Sequence, residues 1–509
     1  MYKKIVSTIM IFILCATVIS GTVATAGQTY KIKCSYLKNP DSIIAIADKS
    51  AKFWEKAYDK KYGGFFAYLD RTGKVDMSKP YKISMIQYRD AFAFARAYQL
   101  TGKKEYLDYA RKGLDFLYKH AWDNVNGGWY SEMNRDGSLV AAPIEYVDWN
   151  NMKWFGTQFG TIQSISTLYD VTRNKVDEDW LNKSYASLEK HLWDSTSGLE
   201  GYYENADKDW GNPNVKSLYS TLDAIITPEM DMYLLNLDKK YKNKITTIAD
   251  VSIKYIIKSM EKRKFGVNDR FDSKWNAIDP QPSTSSGNYL KSGLYLYMAY
   301  LANPKPEYKA SAQKLISQVL DTKAYDKVNG GPYASLDPAT GIPTDYKKNW
   351  WILESGVNSG LVGYYVSKDT KYLKMADESM DFFMKHMYDP KYGDAYGETA
   401  ADGSKPDTVK GNYWKDAFHT LELFYYTYLY GNLMLNNKPV SLYYNISPDK
   451  SARSMSLNPL LMGKNKLLIT KVTLNGKEYK NFDSAKRLLK IPAKIGGEFR
   501  VTFKPVIVK

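Results

Sequence analysis

Apolar residues recur at three- and four-residue spacings along most of the chain, then switch to strict alternation near its end. The stretch "SMIQYRDAFAFARAYQLTG" and its successor "KEYLDYARKGLDFLYKHAW" each carry an apolar face of helical period, with Thr101-Gly102 as the turn between them. Between such helical pairs one pattern keeps returning: an aromatic, an aspartate, a few polar residues, glycines, then further aromatics. It reads "YDKKYGGFFAYLDRTG" from Tyr58, "WDNVNGGWYSEMNRDG" from Trp122 and "WDSTSGLEGYYENAD" from Trp193. After a degenerate copy at Lys264 it returns as "YDKVNGGPYASLDPATG" from Tyr325 and "YDPKYGDAYGETAADG" from Tyr388. Six copies over about 340 residues give a repeat of about 65 residues, and a repeat takes precedence over local readings. Each copy reads as a short β-hairpin or loop joining two helices. Six helical hairpins closing on themselves predict a mainly α fold, an (α/α)6 barrel, with alternate helices lining a funnel that can hold a ligand.

After Asn437 the period becomes two. "KPVSLYYNI", "KLLITKVTLNGKEYKNF", "RLLKIPA" and "GEFRVTFKPVIVK" alternate apolar and polar positions, and Asn475-Gly476 is a hairpin turn. The expected organisation is a leader over 1–26, a barrel over 27–437 and a small β-sandwich-like domain over 438–509. That domain either packs against the barrel as a cover or binds a glycan.

The leader rests on "MYKKIVSTIMIFILCATVISGTVATAG", which pairs Lys3 and Lys4 with a short apolar run and small residues at Ala24 and Ala26. This is the pattern of a secretory signal, so the mature chain is expected to be exported and extracellular. No later run is long and apolar enough to span a bilayer. Loss of Cys15 with the leader leaves Cys34 without a partner, so stability has to come from the core rather than a disulfide. The net charge of +16 comes mostly from scattered lysines. It reads as a solvated basic surface, with association with anionic glycans or a cell envelope as the alternative. No nucleic-acid motif, zinc spacing, phosphate loop or cofactor signature is present, although calcium bound by the repeated aspartates stays open. The 44 tyrosines and 12 tryptophans change the picture more, because aromatic faces stack on sugars as well as filling cores.

Three segments carry candidate chemistry: "QYRDAFAF", "NWWILESGVNSGLVGYY" and "WKDAFHTLELFYY". With the first helical pair, and in this order, they resemble the N-acylglucosamine 2-epimerase superfamily, which includes cellobiose 2-epimerases and mannose isomerases. The resemblance runs from about Phe53 to Leu435. It implies a barrel that binds a sugar as substrate, opens its ring and moves a proton at C2 through an enediolate. That chemistry needs an acid/base group near neutrality and a cation or donors for the oxyanion.

On this resemblance Arg89 matches the active-site arginine, against the alternative of a structural ion pair with Asp90 or another carboxylate. Trp350 and Trp351 match a tryptophan pair, one of which walls the sugar pocket while the other is core. The family glutamate beyond them aligns nearer Ser355 than Glu354, so Glu354 joins the site only if the helix register shifts. His419 matches the proton-transfer histidine. Asp416 and Glu422, three residues to either side, would share its helical face, orient the imidazole and raise its pKa. Glu422 stands where many relatives have arginine. His120, His191 and His386 end helices ahead of the repeat loop and read as partners of helix dipoles.

Two departures limit the carry-over. "TPEMDMYLLNL" puts Asp231, and "SSGNYLKSG" puts Asn288, where the family pattern has histidine; Lys291 stands where it has glutamate. An amide cannot exchange a proton at neutral pH, whereas a buried aspartate or lysine can be tuned toward it. The expectation is therefore a secreted sugar isomerase or epimerase with His419 as acid/base, Arg89 as anchor and Asp231 or Lys291 as the second group. The alternatives are a polysaccharide lyase or glycoside hydrolase on the same barrel, or a glycan-binding protein without catalysis.

Overall fold

The computed structural model describes residues 30–145, 147–258, 270–278 and 283–506. The leader, Cys15 and the first part of the degenerate repeat copy lie outside them.

Twelve helices build the barrel among the described residues. They are α1 (Ile43–Trp54), α2 (Ser84–Thr101), α3 (Lys104–His120), α4 (Phe155–Thr172), α5 (Lys175–His191) and α6 (Leu218–Ala224, resuming as Asp231–Asn236). They continue with α7 (Lys239–Val251), α8 (Ser286–Ala302), α9 (Pro306–Leu320), α10 (Trp350–Ser367), α11 (Thr370–Phe382) and α12 (Phe418–Leu429). The even-numbered helices pack in sequence, and α12 returns to α2, closing an inner ring; odd-numbered helices pack outside it. This is the (α/α)6 barrel expected from the repeat. Inner helices are buried almost all round, while outer helices bury one face. Glycines allow the closest inner-to-outer approaches: a Cβ on Gly293 or Gly360 would sit 3.0 or 2.7 Å from a backbone oxygen of the neighbouring helix.

The repeat loops owe their shared sequence to a buried ion pair. In the second copy, Asp123 Oδ1 accepts the N–H groups of Val125 and Asn126 at 2.9 and 3.0 Å. Its Oδ2 lies 2.8 Å from Nζ of Lys153, two residues before α4, and both side chains are buried. The ammonium also lies over the Tyr130 ring, 4.3 Å from its centroid. The arrangement recurs as Asp59 with Lys82 and Phe66, Asp194 with Lys216 and Tyr203, Asp326 with Lys348 and Tyr333, and Asp389 with Lys410 and Tyr396. A carboxylate already facing an ammonium is a poor calcium ligand, so the loop aspartates are accounted for without a cation.

From Val440 the chain forms β1 (Val440–Ile446), β2 (Arg453–Ser456), β3 (Leu467–Leu474), β4 (Lys477–Glu478), β5 (Phe482–Asp483), β6 (Leu488–Ile491) and β7 (Gly497–Pro505). One antiparallel sheet has the order β1-β7-β3-β4 and a second has β2-β6-β5. Burial alternates along β1 as the period of two requires, and Asn475-Gly476 turns β3 into β4 with positive φ at both residues. β1 packs on α2 and α4. Ser447 N–H donates to Thr172 O at 2.8 Å, and the Tyr365 hydroxyl donates to Met462 O at 2.9 Å. Asn458 reaches Leu234 O at 2.8 Å. These strands therefore cover the C-terminal ends of inner helices, leaving the N-terminal ends to the other mouth of the barrel.

Burial pushes the Asp123 carboxyl up, but Lys153 and two loop N–H groups outweigh it and hold the group well below the usual carboxylate range. Burial pulls Lys153 down even so, because one carboxylate does not replace the water an ammonium loses. Asp123→Ala is expected to cost about 3–5 kcal/mol in urea unfolding at pH 7, and adding Lys153→Met to recover part of it; equal stability of wild type and the single variant would contradict the assignment. Since the folded pKa of Asp123 is depressed, its contribution is complete above about pH 4 and is lost as pH falls further.

Candidate active site

The N-terminal turns of the inner helices surround a cavity of about 770 Å3 open to solvent. Arg89 enters it from α2, Asp223 from α6, Lys291 from α8, Glu354 from α10, and His419 and Glu422 from α12. Five of these six are residues expected from the sequence.

His419 is 7% exposed, and its Nδ1 atom lies 3.3 Å from Glu422 Oε2 and 3.5 Å from Glu354 Oε2. Those separations are ion-pair distances, yet Nδ1 makes no hydrogen bond of good geometry. Trp350 and Trp351 pack about the imidazole, with ring centroids at 6.0 and 6.1 Å. The cavity lining takes Glu354, Ser355 and Asn358 from α10 rather than either tryptophan. The register question at Glu354 resolves by both neighbours lining the cavity, with Glu354 the one that reaches His419. The Asn358 amide nitrogen donates to Glu354 Oε1.

The expected rise in the His419 pKa does not occur. Burial lowers it well below the ordinary value, and the positive charges of Arg89, Lys291 and Lys415 add to that, so the ring is neutral at neutral pH. Burial raises both carboxyls beside it; Glu422 reaches about 7, and repulsion from Glu422 pushes Glu354 further still. The second part of the expectation also changes: Asp416 precedes α12 and is turned away, accepting from Phe418 N–H at 2.9 Å and facing Arg89 at 3.5 Å.

Arg89 satisfies both of its readings. It pairs with Asp416, donates to Trp414 O at 3.0 Å and still lines the cavity. Lys291 pairs with Asp223 at 3.2 Å. Asp223 was missed; its signal in the sequence is an acid within the otherwise apolar "LDAII". Tyr88, Tyr219 and Tyr295, also unremarked in the sequence, supply aromatic wall.

Asp231 does not join this group. It lies in a second, smaller cavity with Arg96 and Asp170, near the strand-covered end, and Tyr426 separates the two spaces by lining both. Burial raises its carboxyl to about 7, which tunes it for proton exchange but in the wrong place. The cause is a break in α6: Thr227 is extended (φ −132°, ψ 121°) and Pro228 follows, so the helix restarts in a new register at Asp231. Asn288 is half-buried on α8 and is absent from the cavity lining.

The other histidines pack structurally, and for His120 and His191 the role is not that of a cationic dipole partner. Burial lowers the pKa of His120 and His191. His191 stacks on Trp210 at 4.6 Å, while the rings of His120 and His386 cover Gly137 and Gly403 so closely that a Cβ would meet them at 2.2 Å.

The N-acylglucosamine 2-epimerase (GlcNAc 2-epimerase) family model matches residues 63–422. The chain belongs to that family. Cellobiose 2-epimerase of Bacteroides fragilis is 22% identical over 386 residues, covering 72% of this chain and 92% of that protein. D-mannose isomerase of Marinomonas mediterranea is 24% identical over 395 residues, covering 74% and 94%. Among solved structures, a D-mannose isomerase superposes with a TM-score of 0.68 at 20% identity, covering 78% of this chain and 99% of that one. A family 76 glycoside hydrolase from a bovine Bacteroides thetaiotaomicron strain shares the fold at a TM-score of 0.57 and 13% identity, covering 76% and 78%. Family membership thus coexists with a fold that also carries hydrolases, and the cavity's own groups have to decide the chemistry.

The cavity wall is tightly keyed. A Cβ on Gly160 would lie 2.4 Å from the Tyr88 ring, whose hydroxyl donates to Gly156 O at 3.1 Å. Gly160→Ala is expected to cost about 1–3 kcal/mol by overpacking, read by urea unfolding. Its cost should shrink in a Tyr88→Ala background; strictly additive losses would show that the two sites do not touch.

Proposed function

We propose that this protein is a sugar isomerase-type enzyme that moves a proton at the carbon next to the carbonyl of a ring-opened sugar, with His419 as the group that carries it. The observation behind this reading is the convergence of neutral His419, its two glutamates and Arg89 in one cavity. The unprotonated imidazole removes the C2 proton, and the electron pair moves to form the C1=C2 double bond of an enediolate while the carbonyl oxygen takes the negative charge. Arg89 and Lys291 are the cations placed to hold that oxyanion. Imidazolium formed in the step lies 3.3–3.5 Å from Glu354 and Glu422, and its charge favours ionisation of these raised carboxyls, which then supply the counter-charge. With the O2 hydroxyl proton passing to O1, the imidazolium, whose proton exchanges with water, delivers a proton to C1 and leaves the carbonyl at C2; this gives the ketose and uses a single face.

Hydrolysis fits less well. A glycosidase sets two carboxyls on either side of the scissile bond, about 5–10 Å apart. Here Glu354 and Glu422 sit on adjacent inner helices and approach the same nitrogen. The residues of the leader support placing the activity outside the cytoplasm, and the names of the relatives make mannose and cellobiose the first sugars to try.

With either sugar, separation of products by chromatography should reveal a ketose or a 2-epimer and no new reducing end. His419→Ala should reduce turnover by about 100-fold or more while calorimetric sugar binding persists. Turnover that survives His419→Ala, or release of shorter sugars, would overturn the reading.

A further inference from the structure

Three electron-pair donors point at one small volume on the cavity wall. The nearest oxygens of Glu354 and Glu422 and a ring nitrogen of His419 all lie within 4.8 Å of one another. Two carboxyl groups facing a third acceptor need either protons or a cation between them, and the raised pKa of both carboxyls is what their burial and crowding produce when no cation is there. Nδ1 is buried without a hydrogen bond, and so is Oδ1 of Asn358, which is 2% exposed and lines the same cavity. Lys291 does not fill the gap, since its ammonium is engaged by Asp223 at 3.2 Å.

We propose that Glu354, His419 and Glu422 form a binding site for one divalent transition-metal ion, left open toward the cavity. The dimensions suit it. Metal bonds of about 2.1 Å at tetrahedral angles put neighbouring ligand atoms about 3.4 Å apart, and the two separations from Nδ1 are 3.3 and 3.5 Å. One imidazole and two carboxylates favour zinc, cobalt or manganese over calcium and magnesium, which take all-oxygen shells. Three protein ligands leave a fourth position facing the space where a sugar would lie. No spacing motif announces the site in the sequence, because its ligands come from two helices, and only His419 and Glu422 are neighbours on one of them. Metal binding goes beyond the proposed activity; one consequence rests on that activity, namely that a metal on His419 withdraws it from proton transfer and inhibits turnover.

The test is calorimetric titration of metal-free protein with Zn2+, with Co2+ absorption as a report on coordination geometry. One Zn2+ per chain is expected, with a four- or five-coordinate Co2+ spectrum. His419→Ala and the isosteric pair Glu354→Gln/Glu422→Gln should each weaken the site by at least about 100-fold, the upper end of what losing a residue that only supports a ligand costs. Circular dichroism establishes that each variant is folded, and either variant alone suffices to test the site. Absence of a stoichiometric site, or Zn2+ affinity unchanged in both variants, would overturn the proposal; the latter would assign the ion to groups outside this cavity. Zn2+ should also suppress turnover, and a chelator should restore it. Sugar turnover without Zn2+ binding refutes the metal site alone, whereas Zn2+ binding in a protein that turns over no sugar refutes the proposed activity alone.

Discussion

Five buried lysines, each held by the aspartate of a repeat loop and covered by an aromatic ring, are the constraint on which the barrel depends. Moving an ammonium out of water costs several kcal/mol, and one carboxylate repays that only with good geometry. The pair is therefore a demanding device, and its value is positional. Four of the five lysines stand two residues before an inner helix, and the loop aspartate follows the preceding outer helix. Each pair thus ties the end of one hairpin to the start of the next, and an error in one joint misplaces a whole helix.

The joints sit at the end of the barrel that holds the candidate site. Arg89, Lys291, Glu354 and His419 all fall in the first two turns of their helices. Helix N-termini carry partial positive charge, and several converging on one cavity favour a developing oxyanion and disfavour an imidazolium. The lowered pKa of His419 has the same direction. At the opposite end the strands after Val440 close the space, so ligand entry is confined to the mouth that bears the ionisable groups. Tyr426 then divides the interior into the cavity around His419 and a small polar one holding Asp231.

Much of this was legible in the sequence because it repeats. Period and copy number identified the helical hairpins and the order in which they close, motif order pointed to Arg89 and His419, and helical spacing put Glu422 beside His419, whereas the motif favoured Ser355 over Glu354. What escaped had local physical causes. Asp231 was placed by motif match, and the extended Thr227 and Pro228 interrupt α6 just before it, a break that the motif does not show. Asp416 was put on the face of His419 although the helix begins only at Phe418. The His419 pKa was given the wrong direction because nearby carboxylates are visible in the sequence, whereas burial and cations from other helices are not. The lysine partners of the loop aspartates went unread, since each lysine stands 21–30 residues beyond its aspartate, across the repeat loop.

The account's central claim is that the cavity transfers a proton to and from the carbon beside a sugar carbonyl. Turnover of mannose or cellobiose in D2O, followed by NMR, tests it most directly. The claim predicts solvent deuterium at C1 or C2 of the product or of recovered substrate, lost in His419→Ala. Product that forms over many turnovers with no deuterium at either carbon would contradict it.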